Sequence, residues 1–184
     1  MILSNPAKST KPERQKCCFI GLPASGKTHY SKQWSKMTGM ERISLDEQIE
    51  QEMGASITNI VSSRGIVFFR NRESELLKQS LRHSAFVLDP GAGIVEWAVN
   101  RRMIRDNFIV IYLDMPLNVF KQRLMKKTEL EKRPLLRTAS DKEMEMFFRK
   151  RLPFYRSVAD ITLHVDYADE QVMNLITWWR SVNC

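Results

Sequence analysis

Five short apolar runs alternate along the chain with longer stretches whose apolar residues recur at helical spacing. The runs Lys16–Ile20, Arg42–Leu45, Ala85–Leu88, Phe108–Leu113 and Ile161–Val165 predict buried strands. Helical patterns cover Lys27–Met37, Asp46–Met53, Gly65–Gln79, Glu96–Asp106, Asp141–Val158 and Asp169–Ser181. A further helix is expected from Pro116, which suits a first turn, to about Lys127. Strands that alternate with helices predict an α/β fold in which a five-stranded parallel sheet is flanked by helices on both faces. Residues 1–15 are polar, with Lys8, Lys11, Arg14 and two prolines, and are expected to form a loose basic tail before a single domain over residues 16–184. Thr128–Ser140 is dense in charge and weak in periodicity, so residues 125–140 are expected to include a mobile loop.

Composition narrows the class without identifying it. A chain of 184 residues is long for one domain of about 150 and short for two. A hydrophobic share of 43% and a charged share of 27% exclude collagen-like, disordered and disulfide-framework classes. The longest apolar run is too short for a membrane span and no charged-then-apolar leader opens the chain, so neither secretion nor membrane insertion is expected. Cys17, Cys18 and Cys184 lack paired metal or redox spacing and read as reduced thiols of a cytoplasmic protein. The 29 Lys and Arg against 21 Asp and Glu leave a net charge of +8, which points to an anionic partner of unspecified kind.

The sharpest chemical signal is Gly21-Leu22-Pro23-Ala24-Ser25-Gly26-Lys27-Thr28, which matches the P-loop pattern at every fixed position. It follows the first expected strand and opens the first expected helix, where backbone N–H groups and the helix dipole can surround a phosphate. Gly21 and Gly26 let the backbone approach closely, with Ala24 and Ser25 between them. Lys27 would reach the β and γ phosphates of ATP, and the Thr28 hydroxyl would ligate Mg²⁺. GTPases, ATPases and small-molecule kinases share this loop. The chain's size and the lack of an NKxD-type guanine signature favour a small kinase.

Further motifs follow in order: Ser44-Leu45-Asp46-Glu47-Gln48-Ile49-Glu50, Gly54-Ala55-Ser56-Ile57, Gly65, Phe69-Arg70 with Glu73, Gly91-Ala92-Gly93, Arg133-Pro134-Leu135-Leu136, and Arg151-Leu152-Pro153-Phe154-Tyr155. With the P-loop, they make the sequence resemble the shikimate kinase family from about Cys17 to Val165. The resemblance implies a nucleoside monophosphate kinase-like fold with a mobile lid. It also implies transfer of the ATP γ-phosphoryl group to the 3-hydroxyl of shikimate, with Mg²⁺ as cofactor. Small-molecule substrates, no nucleic acid or membrane partner, and a monomer are expected.

Residue by residue, the resemblance makes Arg70 and Arg151 the pair that binds the substrate carboxylate, a task suited to forked guanidinium groups. It makes Asp46 the carboxylate that binds the ring hydroxyls and orients or deprotonates the nucleophile, although an aspartate opening a helix also serves as a cap. Gly91, Ala92 and Gly93 would lie against the substrate. Arg133 would be the lid arginine that meets the transferring phosphate when closure excludes water. Lys126 and Arg123, just before the lid, are candidates to flank adenine.

Two departures from the family pattern matter. Where the family has Asp-x-Asp, this chain reads Ser44-Leu45-Asp46, and Ser44 lacks the charge that helps to hold Mg²⁺. Where the family has Thr-Gly-Gly-Gly, it reads Pro90-Gly91-Ala92-Gly93, preceded by Asp89 at the end of the third expected strand. That strand carries Walker-B carboxylates in P-loop proteins, so Asp89 is expected to take over the magnesium role. Alternative readings are a kinase for a gluconate-type acceptor and a weakened kinase fold that binds nucleotide for regulation. No aromatic-interleaved basic segment supports nucleic-acid binding. His29, His83 and His164 form no ligand spacing. Trp178 and Trp179 are expected to pack in the last helix, and Met144 and Met146 to fill gaps in the core and lid helix.

Overall fold

The computed structural model describes residues 15–125 and 139–183. Five parallel strands form one sheet: β1 (Lys16–Gly21), β2 (Glu41–Ser44), β3 (Phe86–Asp89), β4 (Ile109–Asp114) and β5 (Ile161–His164). Their order is β2-β3-β1-β4-β5. The helices are α1 (Lys27–Thr38), α2 (Leu45–Met53), α3 (Ile57–Ser80), α4 (Ala98–Asn107), α5 (Leu117–Leu124), α6 (Asp141–Val158) and α7 (Ala168–Asn183). The expected basic tail and the lid with Lys126 and Arg133 lie outside the described residues, except for Gln15 and the lid's edges.

Consecutive strand residues point to opposite faces of a sheet. Cys17, Cys18, Phe19 and Ile20 are all fully buried, so both faces of β1 are covered, as the alternation of elements predicts. Trp34 of α1 sets its ring edge-on to Phe19 at 5.8 Å and to Trp179 of α7 at 5.4 Å, which ties both helices to the sheet. Buried Cys17 and Cys18 have their thiol pKa raised by desolvation and stay protonated within this core. Among the described residues, no helix is long and apolar enough to cross a membrane.

Several boundaries differ from the sequence expectation. The helix read as starting at Gly65 begins eight residues earlier, at Ile57, where the Ser56 side chain accepts from the backbone N–H of Asn59. Gly65 interrupts it at φ 83°, ψ 160°, a conformation that side chains disfavour, so the periodicity breaks there and conceals the first two turns. Glu96 does not open α4. It ends a short 3-10 turn over Ile94–Glu96, and α4 begins at Ala98. Trp179 and Met144 are buried as expected, but Trp178 and Met146 are exposed. On a helix, adjacent residues lie about 100° apart and residues two apart about 200°, so one apolar face takes only one of each pair.

Candidate active site

Among the described residues, the elements that carry expected site residues bring them near the C-terminal ends of β1, β2 and β3, where β1 lies between β3 and β4. Ligands of open α/β sheets bind at such a switch in strand order. The P-loop leaves β1 and turns into α1. Gly26 sits at the helix N-cap with φ 99° and has no side chain to offer the first-turn N–H groups, which leaves that end of the helix to an anion. Ala24 takes the left-handed conformation at φ 61°, and the Arg123 guanidinium donates to its carbonyl at 3.3 Å. Arg123 thus braces the P-loop. Lys27 folds back to donate to the carbonyls of Gly21 and Leu22, each at 3.0 Å, and Thr28 is exposed beside it. Among the described residues, the buried Ser25 hydroxyl has no hydrogen-bond partner.

Ser44 ends β2 and caps α2, its hydroxyl accepting from the backbone N–H of Glu47 at 3.4 Å. The cap is therefore Ser44 and not Asp46, which stands one residue inside the helix. Asp46 Oδ1 is buried and, among the described residues, has no hydrogen-bond partner. A Cβ on Gly91 would lie 2.8 Å from that oxygen and 2.7 Å from Glu73 Oε1, a second buried oxygen with no partner among the described residues. Only a glycine admits both carboxylates so close to the chain. Burial pushes the Asp46 carboxyl up to about 6, against the opposing pull of Lys27, and burial likewise pushes Glu73 up to about 7, against Arg70.

Arg70 and Arg151 come together from α3 and α6. Arg70 donates to Glu73 Oε2 at 2.8 Å, one turn along α3, and its guanidinium fills the space a side chain on Gly93 would need. Arg151 lies over the Phe147 ring, 3.7 Å from its centroid. Tyr155 Oη, one turn beyond Arg151, donates to the Ala92 carbonyl at 2.6 Å and holds the Gly91–Gly93 segment. Glu96 bridges the two arginines: Arg151 Nε donates to Oε1 at 2.9 Å, Arg151 Nη2 contacts the same oxygen, and Arg70 Nε lies 3.3 Å from Oε2.

Asp89 faces Ser44 in the β2–β3 register and is buried. Arg42 Nη2 donates to its Oδ2 at 2.6 Å and to Glu47 Oε1, Arg42 Nη1 donates to Glu47 Oε2, and Arg42 Nε donates to Ser31 Oγ. The residues present suit Mg²⁺ in donor type: the exposed Thr28 hydroxyl and the buried Asp89 carboxyl are hard oxygen donors. Among the described residues, no three His, Cys, Asp or Glu side chains form a protein-built metal cage. A recess of about 310 Å³ lined by Ile43, Gln48, Leu76 and His83, among others, shares no residue with this site.

The sequence did not single out roles for Glu73, Glu96, Tyr155 or Arg42. Glu73 and Tyr155 stand three and four residues after an arginine, the spacing of neighbours on one helix face. Glu96 carried no such signal.

The sheet order, the P-loop and the acidic and basic groups beyond it define a P-loop small-molecule kinase. The shikimate kinase family model matches residues 23–179. The shikimate kinase of Dictyoglomus turgidum is 38% identical over 157 residues, covering 85% of this chain and 91% of the relative. That of Aromatoleum aromaticum is 34% identical over 144 residues, covering 78% and 81%. Among solved structures, shikimate kinase from Acinetobacter baumannii in complex with shikimate superposes with a TM-score of 0.81 at 28% identity, covering 91% of this chain and 94% of that one. Deoxyadenosine kinase from M. mycoides shares the fold, with a TM-score of 0.59 at 17% identity. The chain belongs to the shikimate kinase family.

Proposed function

We propose that this protein transfers the γ-phosphoryl group of ATP to the 3-hydroxyl of shikimate, giving shikimate 3-phosphate and ADP. The observation that carries this reading is the unpartnered Asp46 Oδ1, held next to Gly91 within the field of Lys27 and Arg70. A hydroxyl seated there satisfies that oxygen and loses its proton to it as the phosphorus is attacked. A carboxyl raised to about 6 is ionised at neutral pH yet basic enough to take a proton.

Lys27 leaves the Gly21 and Leu22 carbonyls for the β and γ phosphates, which the P-loop amides surround with Ala24, Ser25 and Gly26. Thr28, with Asp89 through water, would hold Mg²⁺, which when bound neutralises charge on the phosphates. Arg70 and Arg151 hold the substrate carboxylate, and Gly91, Ala92 and Gly93 lie against the ring. Lys126 flanks the nucleotide, and Arg133 meets the transferring phosphoryl group from the lid. Catalysis rests on positioning and electrostatics, with no covalent intermediate on the protein. The protein acts as a cytoplasmic monomer without nucleic-acid or membrane partners, and residues 1–15 stand outside the catalytic domain.

The test is ADP release from MgATP with and without shikimate. Shikimate-dependent ADP supports the reading. Release only with another polyol acid, such as gluconate, reassigns the acceptor, and nucleotide binding without turnover makes the protein a regulatory module.

A further inference from the structure

Both oxygens of Glu96 lie against the two guanidinium groups that the proposed function assigns to the substrate acid. The two arginine side chains are 11% and 10% exposed and that of Glu96 is 31% exposed, so the anion is the member of the trio nearest water. It stands at the end of a three-residue 3-10 turn and not inside α4, so its release disturbs no helix. Its contact with Arg70 Nε, at 3.3 Å, falls short of a hydrogen bond. Arg70 is held independently by Glu73 at 2.8 Å, and Arg151 by the Phe147 ring. The arginines therefore keep their places when Glu96 leaves.

We propose that Glu96 is a built-in competitor for the acid seat, an internal carboxylate that the substrate carboxylate displaces and that sets acceptor affinity without taking part in phosphoryl transfer. This rests on the functional reading of Arg70 and Arg151. A second anion entering beside Glu96 would place three carboxylates, with Glu73, around two guanidinium groups, a repulsion that expels the most exposed one. One carboxylate is exchanged for another, so the acceptor gains less than it would from an open seat. An acceptor without an acid group cannot make the exchange and gains nothing from the arginines.

The experiment compares the intact protein with Glu96→Gln, using steady-state kinetics and calorimetric binding of shikimate without ATP. Glu96→Gln should lower the shikimate KM and Kd by about fivefold, the upper end of the scale for one partly exposed ion pair. The kcat should stay within about twofold and the KM for ATP should not change. Binding of the neutral methyl ester of shikimate should be the same for both proteins. An unchanged or raised shikimate KM would overturn the proposal, because Glu96 would then be a support for the arginines. Benzoate, a plain carboxylate, separates the two readings. If shikimate is not the acceptor, tighter benzoate binding by Glu96→Gln still upholds the competitor, and equal benzoate binding refutes it. Glu96→Ala repeats the comparison if the glutamine itself binds the guanidinium groups.

Discussion

Arg42 Nη2 and Asp89 Oδ2 meet at 2.6 Å where β2 and β3 run side by side, with Ser44 next to the pair in the same register. A cation thus holds one oxygen of the only carboxylate that ends β3. The proposed magnesium role falls to Asp89 through its other oxygen and a water, in place of the charge that Ser44 lacks. Asp89→Asn should raise the Mg²⁺ concentration for half-maximal turnover by about tenfold or more, the usual effect of losing an outer-shell carboxylate. The fold should survive, because Arg42 retains both Glu47 oxygens and Ser31. A titration of rate against Mg²⁺ that is the same for both proteins removes Asp89 from the metal site.

Lys27 spans the P-loop, with Nζ at 3.0 Å from each of two carbonyls that it must leave to meet the phosphates. Lys27→Ala removes that charge from the phosphates. We expect kcat to fall by about a thousandfold or more, the scale of losing a preorganised cation at a developing charge, with unchanged circular dichroism. Substantial turnover by a well-folded variant contradicts the assignment.

Tyr155 is fully buried, stacks on Tyr112 with the rings 5.4 Å apart, and holds the Ala92 carbonyl at 2.6 Å. Tyr155→Phe keeps the ring and leaves that carbonyl without its donor, at a stability cost of about 1–3 kcal/mol. The Gly91–Gly93 segment loses its tether, so the shikimate KM should rise more than kcat falls. Denaturant melts and steady-state kinetics check the two effects. An unchanged KM would mean that the segment is held by its own backbone.

The strands and most helices were legible because both sheet faces are buried, which writes near-continuous apolar runs such as Ile109–Leu113. The P-loop was legible because its backbone geometry restricts residue type. Glu96 was hidden by a different rule: an acidic residue at an expected helix start reads as favourable to the helix dipole. In the fold it belongs to a 3-10 turn and pairs with arginines from α3 and α6. Local pattern carries no record of such a contact. Ser44 shows the same limit, since its capping hydroxyl depends on where β2 ends and not on the Ser-x-Asp spacing.

Asp46 links stability and activity through one carboxyl. Burial pushes it up to about 6 from an ordinary value of 3.8, so the folded protein holds a proton between those pH values that the unfolded chain has released. Stability from this group is therefore full at low pH and lost as pH rises through about 6. At pH 7.5 the protein bears the cost of an ionised, buried carboxylate. Asp46→Asn removes that charge and should raise stability at pH 7.5 by on the order of 3 kcal/mol, or Tm by roughly 6–12 °C. The gain over the parent should shrink towards pH 4, where the parent is protonated as well. Because Glu73 also titrates nearby, at about 7, and remains in the variant, the quantity to follow is the difference in Tm between the two proteins at each pH. Activity should move the opposite way. The parent's kcat/KM should rise with pH and reach half its plateau near pH 6, while Asp46→Asn should lose about a hundredfold or more at every pH. A variant that is both less stable at pH 7.5 and still active would show that Asp46 serves the fold and not the hydroxyl.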